Sequence, residues 1–285
     1  MPFFANLRKL FAPKKVRIYY QAKSNNFGDK LNENLLDFFA CPYKRVPAKK
    51  AEFIAIGSIL NSFIKKRPFH LKHRIKVFGS GFIKHPESEI VAFSDEMEFY
   101  ALRGKLSREL CQKISGENAA KIQEVALGDP GLLVKRMFPH IKRNKKYDVG
   151  IILHFKDKGA FDAGHLDLQK NSYTFIDIQQ PCESFVSAVA ECGFILSSAM
   201  HGLICADSLN IPNKHLIIGD NVIGGEYKFR DYYSVFDHVD YQPVYLANHP
   251  IITDRDIADY RAQYQIKEQE VDKICDDLIK AFPYK

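Results

Sequence analysis

Short apolar runs, each stopped by small or polar residues, recur along the first half of the chain. Val16 to Tyr20 is rich in β-formers and leads into the polar turn from Ser24 to Asp29. Apolar residues then recur at helical spacing from Leu31 to Phe39, so this stretch predicts a strand, a loop and a helix. The same pattern predicts further strands over Phe53–Ile56, Lys76–Phe78 and Glu98–Leu102.

The second half of the chain begins the alternation again. Asp148 to Phe155 is a nearly continuous apolar run, which is typical of a strand buried on both faces of a parallel sheet. From Ile257 onwards, apolar spacing predicts helices that close the structure. Between these segments the pattern predicts strands over Thr174–Ile178, Phe194–Leu196 and Leu216–Ile218 and helices over Glu183–Glu191 and Met200–Leu209.

Alternating strands and helices in both halves predict an α/β protein built from two doubly wound, Rossmann-like domains. The basic segment from Arg136 to Lys146 lacks a strand or helix pattern and separates the halves. We therefore expect an N-terminal domain over residues 1–138 and a C-terminal domain over residues 139–285. In such folds a ligand binds in the cleft at the carboxyl ends of the strands.

Composition narrows the class of protein. The chain has 285 residues, 46% of them apolar and 26% charged, and no apolar run approaches the roughly 20 residues that span a bilayer. The six cysteines are scattered, which favours buried, reduced thiols in a cytoplasmic protein over a zinc site or disulfides. The formal charge of +7 is spread along the chain, and it favours an anionic small substrate or a membrane surface over nucleic acid.

The N-terminal segment, Met1 to Lys15, mixes Phe and Leu with Arg and Lys and lacks the apolar core of a secretion signal. Its spacing suits a short amphipathic helix that touches anionic lipid, although a helix packed against its own domain is favoured. We expect a cytoplasmic protein, peripheral to the inner face of the membrane if this segment binds lipid.

The most informative stretch runs from Ser197 to Ala206, where an apolar strand passes into a helix. A helix start presents unpaired amides and a positive dipole end, which suit a phosphate or carboxylate. Ser198 can add a hydroxyl donor there, and His201 in the first turn can deliver a proton. The alternative, which the local pattern supports equally well, is that Ser198 serves only as an N-cap and His201 is a structural histidine.

Two other positions at predicted strand ends carry candidate chemistry. Arg103 follows the strand that ends at Leu102, where its guanidinium can grip a carboxylate or phosphate, although a solvated loop arginine is favoured on local grounds. Asn26 and Asp29 offer an amide and a carboxylate to sugar hydroxyls, but such loops are also common helix caps.

The stretch from Gly224 to Tyr233 combines a glycine pair with cations and aromatic rings. It is either a mobile clamp over an anionic donor, using Lys228 and Arg230, or a surface helix whose tyrosines pack inward. The turn from Gly128 to Gly131 is interpreted as structure rather than chemistry. The remaining carboxylates and histidines are too dispersed to indicate a metal site.

Five short motifs follow one another along the chain: Asn26-Phe27-Gly28-Asp29, Gly79-Ser80-Gly81, Arg103 with Ser107, Gly128-Asp129-Pro130, and Ser198-Ala199-Met200-His201-Gly202. Taken in order, these motifs resemble the polysaccharide pyruvyl transferase family. The resemblance covers the chain from about Tyr20 to Phe236. It implies a two-domain fold similar to the glycosyltransferase-B architecture, phosphoenolpyruvate as donor, no cofactor or metal, and a sugar of a lipid-linked or polymeric bacterial surface glycan as acceptor.

The implied reaction transfers a pyruvyl group to the sugar, forms a cyclic ketal and releases phosphate. Many family members carry an arginine where this chain has Ser197 and Ser198, so neutralisation of the donor's charge relies more on Arg103, Lys228 or Arg230. A nucleotide-sugar glycosyltransferase and a non-catalytic carbohydrate-binding relative are the alternatives. The resemblance implies His201 and Arg103 as catalytic residues; we expect donor contacts from Ser198, Gly202, Lys228 and Arg230, and acceptor contacts from Asn26 and Asp29.

Overall fold

A computed structural model describes residues 14–21, 25–66, 74–86, 91–94, 96–115, 119–169, 172–220 and 223–284. It is a mixed α/β structure with parallel sheets, as the alternating pattern predicts. The strands are β1 Val16–Ile18, β2 Tyr43–Arg45, β3 Phe53–Ile54, β4 Ile64–Lys66, β5 Arg74–Ser80, β6 Val91–Phe93, β7 Glu96–Leu102, β8 Ala126–Leu127, β9 Val149–Ile152, β10 Leu166–Asp167, β11 Tyr173–Ile176, β12 Ile195–Ser197, β13 Asn213–Ile217, β14 Val244–Tyr245 and β15 Ile252–Thr253.

The helices alternate with these strands. The α-helices are α1 Phe27–Phe38, α2 Lys105–Ser115, α3 Ala119–Gln123, α4 Val134–Met137, α5 Cys182–Ala190, α6 Met200–Ser208, α7 Tyr227–Tyr233, α8 Asp254–Ala262 and α9 Glu268–Ala281. Short 3₁₀ helices cover Ala48–Lys50, Leu60–Phe63, Pro130–Leu133 and Ala163–His165.

Two larger sheets divide the chain between them. The first has the order β2-β1-β3-β5-β7-β8 and the second the order β11-β9-β12-β13-β14, and every pairing within each is parallel. In each sheet the chain first adds a strand to one side and then crosses to the other. The reversal falls between β1 and β3 in the first sheet and between β9 and β12 in the second. Ligands of open α/β sheets bind at such reversals.

Local sequence explains the elements that flank these reversals. The four residues of β9 are all buried, as expected of a strand covered on both faces. The strand is shorter than the predicted run from Asp148 to Phe155, and the polar residues after Leu153 are left at its carboxyl end. Helix α1 begins where the Asn26 side chain accepts a hydrogen bond from the Asp29 amide, and it buries Leu31, Leu35 and Leu36.

The largest cluster of buried apolar residues draws on both halves of the chain. It includes residues of α1, α5, α6 and α9, so the halves share a core. Helix α9 packs against β7 and β8 of the first sheet, and Phe282 stacks on Phe39 with ring centroids 3.7 Å apart. The C-terminal helix also contacts α6, so it packs on both halves, while the boundary at residue 138 stays a prediction.

The segment that separates the sheets has the predicted character. The structure describes all residues from Met137 to Val149, and no helix or strand lies between those two positions. All six cysteines are buried and free. Within the described ranges no helix has the length and apolarity needed to cross a membrane. The predicted amphipathic segment from Met1 to Lys15 lies outside the described residues except for its last two, which are exposed.

Candidate functional site

A cavity of about 430 Å³, called the central cavity below, opens where the two strand-order reversals face each other. From the first sheet it is lined by Gln21, which follows β1, and by Ser58, which follows β3. From the second sheet it is lined by Lys156 after β9 and by the start of α6 after β12. The topology of two separate sheets thus brings four strand ends to one place.

His201 stands in the first turn of α6 and lines the central cavity. The turn begins at Ala199, whose amide donates to Ser197 Oγ at 3.0 Å. The imidazole lies flat against Gly28 of α1, since a Cβ at Gly28 would sit 2.1 Å from His201 Nδ1. Only glycine leaves room for the ring there, so a residue of the first half fixes the orientation of this histidine.

Behind His201 lies a carboxylate, Asp129, which the sequence pattern assigned to a turn. His201 Nε2 and Asp129 Oδ2 are 3.8 Å apart, and within the described chain neither atom has solvent contact or a hydrogen-bond partner. The other carboxylate oxygen, Oδ1, accepts the Gly131 amide at 2.9 Å. Because buried polar atoms are nearly always paired, two facing unpaired atoms indicate a functional pair.

The electrostatics of this pair follow from its burial. Burial, together with smaller effects of the nearby charges of Arg103 and Lys228, lowers the pKa of His201 to about 3. Burial also raises the pKa of Asp129 to about 6, against the lowering effect of the Gly131 amide. At neutral pH the pair therefore consists of a neutral imidazole beside a carboxylate.

Lysines give the central cavity its positive character. Lys228 lines the cavity from α7 although its side chain is only 8% exposed, and burial lowers its pKa to about 8. Within the described chain its ammonium group makes no hydrogen bond or ion pair and lies 5.2 Å from the centroid of the Phe229 ring, so its charge is available to an anion. Lys156 adds a second ammonium group, and burial lowers the pKa of neighbouring His154 to about 4.

Arg103 is neither the cavity residue nor the solvated loop arginine that its position predicts. Its side chain is completely buried and ion-pairs with Asp231 of α7 at 2.8 Å. Its guanidinium also donates to the Phe82 carbonyl at 2.6 Å and to Ser58 Oγ. The hydroxyl of Ser58 lies on the cavity wall, so Arg103 supports the wall from behind and cannot grip a ligand directly.

Three other residues predicted to contact the donor do not line the central cavity. Gly202 is packed away from the cavity, since a Cβ there would lie 2.5 Å from Ser197 Oγ. Arg230 is exposed and pairs with Glu226 at 2.6 Å on the surface of α7, whose tyrosines pack inward. Ser198 accepts the His154 amide at 2.9 Å and lines a neighbouring cavity instead. Of the predicted donor residues, only Lys228 joins His201 in the central cavity.

The two predicted acceptor residues do line the central cavity. Both also cap α1, because Asn26 Nδ2 donates to Asp29 Oδ2 at 2.7 Å while the Asp29 amide donates back to Asn26 Oδ1. Asn26 and Asp29 therefore cap the helix and line the cavity at the same time. An acceptor-binding role for Asn26 and Asp29 stays a prediction.

Sequence reasoning missed Asp129, Ser58 and Lys156. Each follows the carboxyl end of a parallel strand, namely β8, β3 and β9. The same position after a strand predicts Arg103 and His201 as site residues, and it predicts these three residues equally well. Asp129 is not predicted as a site residue from sequence because a Gly-Asp-Pro-Gly sequence is also typical of an ordinary turn.

Comparisons with known proteins leave the activity open. No family model matches the chain. An uncharacterised protein of Acanthamoeba polyphaga mimivirus is 28% identical over 231 residues, which cover 78% of this chain and 75% of that protein.

Two solved structures are similar at low scores. A functionally uncharacterised protein of Klebsiella pneumoniae aligns with 86% of this chain and 97% of its own, at a TM-score of 0.45 and 11% identity. The wall teichoic acid polymerase TagF aligns with 94% of this chain and 85% of its own, at a TM-score of 0.38 and 8% identity. At these scores the likeness carries no information about function.

Proposed function

We propose that the protein is a pyruvyl transferase, which moves the pyruvyl group of phosphoenolpyruvate onto a sugar of a surface polysaccharide or its lipid-linked precursor. The observation that carries the proposal is the Lys228 ammonium, which has no ion pair among the described residues, beside the Asp129–His201 pair in one cavity. A cation next to a proton-transfer pair suits an anionic donor whose reaction needs an acid. The motif resemblance selects phosphoenolpyruvate among such donors.

In this proposal the donor's charged groups face the cations of the central cavity. Lys228 and Lys156 neutralise the phosphate and carboxylate, and the start of α6 adds amides and a positive dipole end. Arg103 contributes the attraction of its positive charge at a distance, and it holds Ser58 in the cavity wall through a hydrogen bond. Removing water from the bound donor would strengthen each of these interactions.

The reaction needs a proton at C3 of phosphoenolpyruvate. An anion bound beside His201 raises the pKa of its imidazole, so the proton is held where the donor lies. Transfer of that proton to C3 makes C2 electrophilic, and a sugar hydroxyl attacks C2 and loses its own proton. The bond from C2 to the phosphate oxygen breaks, and a second hydroxyl closes the ketal. One of the two hydroxyl protons leaves with phosphate and the other restores the acid.

The predictions about domains, cellular location and cofactors belong to the same proposal. Two domains over residues 1–138 and 139–285 in a glycosyltransferase-B-like arrangement would place the cavity in the cleft between them. The protein would work in the cytoplasm without a cofactor, at the inner face of the membrane if Met1–Lys15 binds lipid.

A ligand-binding experiment tests the donor. Phosphoenolpyruvate should raise the melting temperature of the wild-type protein, because a ligand that binds only the folded state stabilises it. Lys228→Met should abolish that rise, whereas Arg230→Met, a matched loss of charge on the same helix, should retain it. Mass spectrometry after incubation with phosphoenolpyruvate and a panel of lipid-linked sugars then identifies the acceptor.

The alternative activities give different results in the same assays. Stabilisation by a nucleotide sugar, with release of a nucleoside diphosphate, would replace the proposal with a glycosyltransferase. Stabilisation by glycans alone, without phosphate release from phosphoenolpyruvate, would indicate a non-catalytic carbohydrate-binding protein.

A further inference from the structure

A second cavity of about 370 Å³, called the side cavity below, lies against the central cavity. Ile223 lines both of them. The side cavity sits at the carboxyl end of β13 and is floored by Leu216, Ile217 and Ile218. The Phe229 ring adds an apolar wall and stacks on His215 with ring centroids 3.6 Å apart.

The wall between the cavities is made of three pairs of consecutive residues, and each pair gives one residue to each side. Lys156, Ala199 and Lys228 line the central cavity. Their chain neighbours Asp157, Ser198 and Phe229 line the side cavity. The two spaces are therefore separated by the thickness of the chain itself, and groups bound on either side come close together.

The charged side chains that line the two cavities differ. Lysines line the central cavity, whereas the described lining of the side cavity holds the carboxylates of Asp157, Asp220 and Glu226 and no lysine or arginine. Asp157 is fully buried, and within the described chain its carboxylate makes no close hydrogen bond, although the nearby Ser198 hydroxyl interacts with it. Glu226 already binds Arg230 and the Tyr245 hydroxyl, so Asp157 and Asp220 supply most of the acidic character.

An acidic lining repels phosphates and nucleotides, while carboxylates and an aromatic ring suit a sugar. Carboxylate oxygens accept hydrogen bonds from hydroxyl groups, and the ring of Tyr245, which lines the side cavity and is 39% exposed, can pack against the C–H face of a pyranose. Within the described residues no group of three His, Cys, Asp or Glu side chains could hold a metal ion, so these carboxylates form no evident cation site.

We propose that the side cavity binds an uncharged pyranose through its hydroxyl groups. That this sugar is the acceptor rests on the function proposed above; binding of the sugar does not. The acceptor ring would then lie in the C-terminal half, across the shared wall from the donor, rather than at Asn26 and Asp29. Its hydroxyls would reach the central cavity past Ile223, the residue common to both spaces.

Gly219 offers a way to fill the side cavity without disturbing the fold. It lines the cavity, and a Cβ built there meets nothing within 4 Å. Binding of methyl glycosides of galactose, glucose, mannose and N-acetylglucosamine is measured by saturation-transfer NMR, and binding of phosphoenolpyruvate by calorimetry. Gly219→Leu should weaken glycoside binding about ten-fold or more and leave the Kd of phosphoenolpyruvate unchanged, and Gly219→Ala is the control.

Lys228→Met should give the opposite pattern, with lost phosphoenolpyruvate binding and retained glycoside binding. The side-cavity proposal is overturned if no glycoside binds, if Gly219→Leu binds glycosides like wild type, or if phosphoenolpyruvate displaces them competitively. Failure of phosphoenolpyruvate to bind wild type, with glycoside binding still sensitive to Gly219→Leu, would instead refute the proposed function alone.

Discussion

Two buried polar pairs join the halves of this protein, and they are built in opposite ways. Arg103 donates to Asp231, to the Phe82 carbonyl and to Ser58, and Asp231 also accepts the amide and hydroxyl of Ser107 at 2.7 and 2.6 Å. Asp129 and His201 face each other at 3.8 Å and leave one buried atom each without a partner. The first pair has no access to the central cavity, whereas the second opens onto it through His201.

The difference separates a structural role from a chemical one. A buried ion pair in which each nitrogen of the guanidinium donates to a protein group holds one geometry and is not exposed to a ligand. A pair with unsatisfied atoms carries a cost in free energy that a ligand or a proton can relieve. Sequence reasoning grouped Arg103 with His201 as catalytic residues, and the structure assigns them to the two different kinds of pair.

The largest effect is expected from His201→Gln, which keeps similar size but cannot titrate near neutral pH. Turnover of phosphoenolpyruvate with the acceptor sugar should fall by about two orders of magnitude or more, the range for losing a general acid. The folded fraction and the Kd of phosphoenolpyruvate should change little. Normal turnover in a variant that melts earlier would make His201 a structural residue like Arg103.

Arg103→Met should show the reverse pattern. The substitution leaves the Asp231 carboxylate buried without its partner, so the free energy of unfolding should fall by about 3–5 kcal/mol. Denaturant titration followed by circular dichroism measures the loss. Arg230→Met is the matched control, because its exposed pair with Glu226 should contribute about 0.3–0.5 kcal/mol. Equal losses in the two variants would show that burial of the Arg103 pair is unimportant.

A smaller effect is expected from Asp129→Asn, which tests whether the second pair acts as a unit. The substituted side chain retains an oxygen for the Gly131 amide, but its new amide group can donate to His201 Nε2 and so favour the other tautomer. Turnover should fall about ten-fold to a hundred-fold with stability nearly unchanged. The acid limb of the turnover profile near pH 6, set by the raised pKa of Asp129, should shift or disappear. A wild-type profile in this variant would remove Asp129 from the mechanism.

The smallest predicted effect is on the pH dependence of stability. His201 has a folded-state pKa of about 3, below its ordinary value of 6.5, so the unfolded chain binds a proton between these values that the folded protein does not. Wild type therefore loses stability from this group as the pH falls below 6.5. From pH 7 to pH 5, His201→Gln should gain about 1–2 kcal/mol relative to wild type in denaturant titrations. An unchanged difference would place the histidine in a more solvated environment.

Sequence periodicity determined much of the fold, because buried parallel strands and amphipathic helices carry strong local patterns. The strand before Gly28, the strand after Asp148 and the helix after Ser198 are all present near their predicted positions. The position of a polar residue after a strand was enough to select His201 and Lys228. These features depend on residues close together in the chain, so local composition reports them.

Only the tertiary structure decided which selected residues meet. The Arg103 and Asp231 side chains are 128 positions apart in sequence, and no local pattern indicates that they pair in the interior. Asp129 reaches His201 only because the carboxyl end of β8 meets the first turn of α6, which turns an ordinary Gly-Asp-Pro-Gly turn into part of a buried pair. Burial then shifts both pKa values, and burial is a property of the packed halves rather than of either segment.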